Sequence, residues 1–153
     1  MSLSAPHSGV TLMIVDIARL LRRRFEAALD EVNTGLTVAE ARTLAIVWRN
    51  PGLRQAALAE RMNVEPMTLV GYLDALEAED LIQRSVDPKD RRANLITLTS
   101  QADPVLEKIE IASNIVRARA MTNVPAARRE ELEGLLAAMH DSLSACEPES
   151  PGL

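Results

Sequence analysis

The sequence predicts a mainly α-helical fold that carries one small β-hairpin. Three observations support this. Apolar residues recur at steps of three and four along most of the chain, the period of helices with one buried face. The period changes once, after Asp80, where two short runs rich in Leu, Ile and Val flank a polar segment. Turn and cap residues punctuate the helical stretches at Asn33-Thr34-Gly35, Asn50-Pro51-Gly52, Asn63-Val64-Glu65 and Asn123-Val124-Pro125.

Residues 1–9 hold Ser, Pro, His and Gly without periodicity and are expected to form a flexible tail. From Val10 to Val32 the residues Ile14, Ile17, Leu21, Phe25, Ala28 and Val32 form one stripe. A helix of about 23 residues spans roughly 35 Å, long enough to reach into a partner subunit. Thr37 stands three residues before Glu40, a capping-box signature that opens a second helix through Leu44, Val47 and Trp48. Trp48 follows the apolar face and is expected in the core. A short helix runs from about Arg54 to Met62. The next opens on Pro66, well suited to a first helical position, and continues to about Glu79 with Leu69, Leu73 and Leu76 inward.

Leu81 to Val86 and Leu95 to Leu98 read as strands, with Asp87 to Asn94 as a polar tip between them. Thr99 is an expected N-cap for the helix that follows. Pro104 then lies in its first turn, or Asp103 recaps it. Val105, Ile109, Ala112, Val116 and Ala120 make its stripe. Pro125 is expected to start the last helix, with Leu132, Leu135, Leu136, Met139 and Leu143 on its apolar face. Residues 147–153 contain two prolines and a glycine and are expected to be flexible. The terminal helices are expected to have only each other to pack around, which an intertwined homodimer would satisfy.

Composition excludes several function classes. The 153 residues include one Trp, one Tyr and one Phe, too few for an aromatic platform that stacks single-stranded nucleic acid. One cysteine, Cys146, allows no internal disulfide and no multi-cysteine metal centre. That usage fits a cytoplasmic protein. No long apolar run suggests a membrane span, so a membrane partner is not expected. No phosphate loop or nucleophile motif is present, and the chain has two histidines in poor context. The protein is therefore not expected to be an enzyme, and no metal or cofactor is expected. Cys146 is read as a plain surface thiol rather than a redox switch, since a sensor needs a stabilised thiolate. His140 with Asp141 and Cys146 is a poor ligand set. Arg22-Arg23-Arg24 reads as a solvated helix face with some pairing to Glu26.

Two constellations carry a functional reading. In Gln55-Ala56-Ala57-Leu58-Ala59-Glu60-Arg61-Met62, small alanines let helices approach, while Leu58, Met62, Val64 and Leu69 can form a core beneath a tight turn. That is how a helix-turn-helix is built, and its second helix then reads DNA. The bland alternative is an ordinary helical pair. In the polar tip, Lys89, Arg91 and Arg92 stand among Asp87 and Asp90. The tip is either a self-neutralising loop or a wing whose arginines enter the minor groove, with Asp90 holding the Arg92 guanidinium extended.

The segments Leu81-Ile82-Gln83-Arg84, Asp87-Pro88-Lys89-Asp90-Arg91-Arg92-Ala93 and Leu98-Thr99 resemble the wing signature of MarR-family transcriptional regulators. Thr68-Leu69-Val70, Leu73-Asp74 and Leu76-Glu77 resemble that family's recognition-helix region. Leu98 to Leu106, with Ala102-Asp103-Pro104, is most similar to the SlyA branch. The resemblance implies a winged helix-turn-helix at 36–99, dimerisation helices at 10–35 and 100–146, and a homodimeric regulator on a pseudo-palindromic double-stranded operator, most often a repressor. It implies Arg92 as the minor-groove arginine and Lys89 and Arg91 as phosphate contacts. It places Glu65, Pro66, Met67 and Thr68 against base edges. In many members a small aromatic or phenolic effector weakens DNA binding.

This chain departs from that pattern. Gly71 stands where an arginine is usual in SlyA-like proteins, and Asp80 where a glycine is usual. Glu65 to Asp80 contains no Lys or Arg and carries five acids. Bidentate readout of guanine is thus absent from that helix. Residues 36–100 carry eight basic against nine acidic side chains, so phosphate contacts are expected from Arg54, Arg61, Arg84 and the wing. The acidic helix motivates an alternative, a winged-helix adaptor that binds proteins and little or no operator. The net charge of −5 is mildly unfavourable to non-specific nucleic-acid binding.

Overall fold

The computed structural model describes residues 9–145. It is mostly helical with one two-stranded antiparallel sheet, in the order α1 (Val10–Val32), α2 (Val38–Arg49), α3 (Gln55–Met62), α4 (Pro66–Ala78), β1 (Ile82–Asp87), β2 (Asp90–Leu98), α5 (Asp103–Ala120) and α6 (Arg129–Ser144). Short 3-10 turns lie at Ser100–Ala102 and Ala126–Arg128. The expected tail over 147–153, Cys146 and nearly all of the N-terminal tail lie outside the described residues.

Local chemistry explains the boundaries. The Thr37 hydroxyl accepts from the Glu40 N–H at 3.2 Å, and the Thr37 N–H donates to Glu40 Oε2 at 2.9 Å. This reciprocal pair satisfies two otherwise orphaned donors at the start of α2. Asn33, Asn63 and Asp80 take left-handed conformations at φ 48°, 51° and 56°. Short polar side chains tolerate that region best after glycine, so each ends a helix sharply. Pro66 occupies the start of α4, where its missing N–H costs nothing.

The chain forms two compact units, one up to Arg117 and one from Ala118. The first holds a continuous apolar core. Leu44 of α2, Leu58 and Met62 of α3, Leu69, Leu73 and Leu76 of α4, Ile82 and Ile96 of the sheet, and Ile109 of α5 are all fully buried. Burying each such side chain contributes about 1.5–3 kcal/mol relative to exposure. Ala59 is the one buried alanine of the α3 trio; Ala57 is half-buried and Ala56 exposed. Trp48 is half-buried and packs against this core.

The terminal helices depart from expectation. Ala28 and Leu29 of α1 and Leu106, Ile109 and Ala112 of α5 belong to the core, so these helices pack on the central domain as well as presenting apolar surface. Arg49 helps to join them, donating to the Ser113 hydroxyl at 2.9 Å and lying 5.8 Å from the Phe25 ring centroid. The N-terminal half of α1 remains open, with Val10, Leu12, Met13, Val15 and Ile17 exposed.

The hairpin also differs. The segment expected as a loop from Asp87 to Asn94 is mostly strand, because β2 begins at Asp90 and only Pro88-Lys89 forms the turn. The Asp87 carboxylate accepts the Lys89 N–H at 2.9 Å, the local bond that tightens such a turn. The register passes from Val86 opposite Asn94 to Asp87 opposite Asp90, so Arg91, Arg92 and Ala93 fall between these two pairs in a bulge. Thr99 caps the first 3-10 turn rather than a long helix, and α5 starts at Asp103 with Pro104 second. Pro125 likewise precedes a 3-10 turn, and α6 starts at Arg129.

In the second unit the Arg129 guanidinium donates to the carbonyls of Met121 and Val124 at 3.1 and 3.3 Å. Those bonds satisfy backbone groups in the turn that precedes α6. Leu135, Leu136 and Leu143 of α6 are exposed. No described helix is long and apolar enough to cross a membrane.

Candidate nucleic-acid interface

Helices α2, α3 and α4 form the helix-turn-helix. The Asn63 and Val64 N–H groups donate to the carbonyls of Glu60 and Ala59, which closes α3 and turns the chain toward α4. Arg42 donates from α2 to the Met62 carbonyl at 2.9 Å and fastens the same turn. Burial, and secondarily the nearby Arg22, hold the Arg42 guanidinium below its ordinary pKa. The inward face of α4 is Leu69, Leu73 and Leu76, spaced to pack on α2 and α3. The opposite face leaves Pro66, Met67, Thr68 and Gly71 exposed, with Glu65 exposed at the cap.

The wing is fixed at its root. Arg54, immediately before α3, donates Nε and Nη2 to Asp87 Oδ2 at 2.8 and 2.6 Å. The Asp87 side chain is 7% exposed and the Arg54 side chain 46%. The Lys89 amide first, and then Arg54, hold the Asp87 carboxyl below its ordinary pKa. The backbone reinforces this joint. The Ile96 N–H donates to the Leu53 carbonyl at 3.2 Å, and Arg54 bridges to Leu95.

A second joint ties β1 to α4. Arg84 donates to Glu77 Oε2 from Nε at 3.0 Å and from Nη2 at 2.5 Å, and to Asp74 Oδ1 from Nη2 at 2.6 Å. The Arg84 N–H also donates to Glu77 Oε1 at 3.2 Å. Arg84 holds the Glu77 carboxyl below its ordinary pKa, and Glu77 followed by Asp74 raises that of Arg84. Two of the acids that make α4 look hostile to DNA are therefore counter-ions of an arginine on the neighbouring strand.

The basic residues expected to meet DNA thus fall into two groups. Arg54 and Arg84 are engaged within the fold. Arg61, Lys89, Arg91 and Arg92 are exposed, and among the described residues none of them is in an ion pair. Asp90 accepts the Arg92 backbone N–H at 3.0 Å, so its contact fixes the Arg92 main chain rather than the guanidinium. Sequence reasoning missed both joints. Asp87 and Arg54 are 33 residues apart, and no local pattern pairs them.

Other candidates stay apart from this region. Among the described residues no group of three His, Cys, Asp or Glu side chains gathers at one point. His140 lies 3.6 Å from Asp141, both strongly exposed. Arg22, Arg23 and Arg24 are exposed, and no ion pair links them to Glu26. An open groove of about 570 Å³ is lined by Trp48, Asp103, Leu106, Glu107, Glu110 and Ile111.

Comparison with known proteins agrees with this geometry. Residues 36–93 match the model of the MarR family. A MarR-family transcriptional regulator from Silicibacter pomeroyi superposes with a TM-score of 0.73 at 23% identity, over 96% of this chain and 99% of that one. CouR from Rhodococcus jostii RHA1, solved with p-coumaroyl-CoA bound, gives 0.66 at 24% identity, over 97% and 99%. A probable transcriptional regulator from Pseudomonas aeruginosa gives 0.56 at 28% identity, over 82% and 96%. The helix-turn-helix and wing of residues 36–93 match the MarR-family model, and the chain has the winged-helix fold of these structures.

Proposed function

We propose that this protein is a homodimeric repressor that binds a pseudo-palindromic double-stranded operator. In this reading α4 enters the major groove with Glu65, Pro66, Met67 and Thr68 toward base edges. Arg92 enters the minor groove, and Arg61, Lys89 and Arg91 meet phosphates. The observation that carries the reading is the wing: three cations stand exposed, without acidic partners among the described residues, on a hairpin whose root is clamped by Arg54 and Asp87. A solvated, self-neutralising loop would pair its charges with Asp87 and Asp90. Here those carboxylates bind Arg54 and backbone N–H groups instead.

Dimerisation through 10–35 and 100–146 is supported by the exposed apolar residues of α1, α5 and α6. A small aromatic effector is supported by CouR and its bound p-coumaroyl-CoA, and by the groove beside Trp48. The carboxylates of Asp103, Glu107 and Glu110 set that groove against an anionic form of such a ligand. A place nearer the SlyA branch rests on the Ala102-Asp103-Pro104 entry to α5.

The adaptor alternative draws on the acidity of α4, which the Arg84 contacts to Asp74 and Glu77 reduce. Arg91→Ala combined with Arg92→Ala separates the two readings. The repressor reading expects duplex binding to be abolished while helix content is unchanged. Unchanged duplex binding would overturn it.

A further inference from the structure

We infer that the first turn of α4 selects thymine through its 5-methyl group, with Met67 as the specificity-determining residue and Pro66 beside it. The inference rests on the DNA-binding reading above and adds what the helix recognises. Met67 is 79% exposed, more than any other large apolar side chain among the described residues. The others so exposed lie on α1, α5 and α6, apart from Val86 on the wing. Met67 therefore stands alone on the helix-turn-helix, away from the faces proposed for dimerisation.

The chemistry of α4 leaves few other ways to read a base. Guanine is read by Arg or Lys, and adenine by Asn or Gln. The sequence Pro66–Ala78 contains none of these four residue types. Cytosine N4 can be read by a carboxylate; Asp74 and Glu77 are engaged by Arg84, which leaves that role to the exposed Glu65 at the cap. The Thr68 hydroxyl donates or accepts and discriminates poorly. The remaining base-specific group in the major groove is the thymine methyl, which apolar side chains contact. Gly71 lies one turn beyond Met67, and a Cβ there would meet nothing within 4 Å. No side chain at that position holds Met67 away from a base edge.

The test uses duplexes enriched from a random library by the full-length protein. Each thymine of the enriched half-site is replaced singly by deoxyuridine, which lacks only the methyl, and affinity is read by fluorescence anisotropy. Loss of one buried methyl contact corresponds to about fourfold weaker binding. We expect that loss at one or two thymines per half-site in the wild type. We expect no loss at the same positions in Met67→Ala, whose helix content is checked by circular dichroism. Deoxyuridine tolerated at every thymine, or an equal cost in both proteins, overturns the inference and leaves the repressor reading standing. Failure to enrich any sequence overturns both.

Discussion

Replacing Gly71 gives the account two readouts that move independently. Gly71 sits inside α4 on its exposed face, without a positive φ, and a methyl group there has open space. Glycine in a helix interior costs about 0.8–1.0 kcal/mol relative to alanine, because more backbone entropy is lost on folding. Gly71→Ala should recover about that amount, since no neighbour must move. For a chain of this size that raises Tm by roughly 2–4 °C at fixed protomer concentration. Gly71→Arg should also stabilise, arginine being a good helix former. It further adds a cation to the proposed reading face. The slope of log affinity against log salt should then steepen by about 0.9 per new phosphate contact, unless the arginine binds a base. In a library selection, guanine should become enriched at a position where the wild type has no preference. Thermal unfolding by circular dichroism measures the first effect, and anisotropy with selection measures the second. A lower Tm in Gly71→Ala would refute the reasoning, because it would mean the position is packed or not helical. A stabilised Gly71→Arg that leaves both salt slope and selected sequence unchanged would refute the placement of α4 in the groove.

Three further expectations follow from the two joints. Arg84→Ala should weaken duplex binding without flattening the salt slope if the side chain only neutralises Asp74 and Glu77; a slope smaller by about 0.9 per protomer would show a phosphate contact instead. Asp87→Asn removes a negative charge near the DNA, so simple electrostatics predicts tighter binding. The clamp predicts weaker binding, because the wing loses its ionic root, and anisotropy at one salt concentration decides between them. The carboxyls of Asp87 and Glu77 are held below their ordinary values of 3.8 and 4.5. Their stabilisation is therefore complete above those values and is lost as pH falls through the depressed ones. Denaturation followed across that acid limb should be shallower in Glu77→Gln than in the wild type, and an identical limb would show that the Arg84 pair contributes nothing measurable.

Much of this fold is legible from local chemistry. The bounds of α1, the capping box of α2, Pro66 at the head of α4 and the helix breaks at Asn33 and Asn63 each follow from a few neighbouring residues. The start of β2 does not. Asp90-Arg91-Arg92-Ala93-Asn94 has little strand propensity, and pairing across the hairpin imposes the conformation. The packing of Leu29 and Ile109 into the central core was obscured because α1 and α5 also carry exposed apolar residues, such as Val15, Ile17, Ile111 and Ile115. For the candidate site, the identity of the exposed wing cations was legible. The internal engagement of Arg54 and Arg84 was not, since each depends on a tertiary contact. Composition alone made α4 look more repulsive to DNA than it is, because charge counts cannot show which acids already have a partner.

The central claim is selective duplex recognition by α4 together with the wing. Its most direct test is fluorescence anisotropy on the duplex upstream of this protein's own gene and on the best duplex from a random library, beside a scrambled control, over a range of salt. Arg61, Lys89 and Arg91, with or without Arg92, make three or four available cations per protomer. For a dimer the account predicts tight binding to at least one of the two test duplexes, weak binding to the scrambled one, and a log–log salt slope of about −5 to −7. Equal, weak binding to all of them would contradict it.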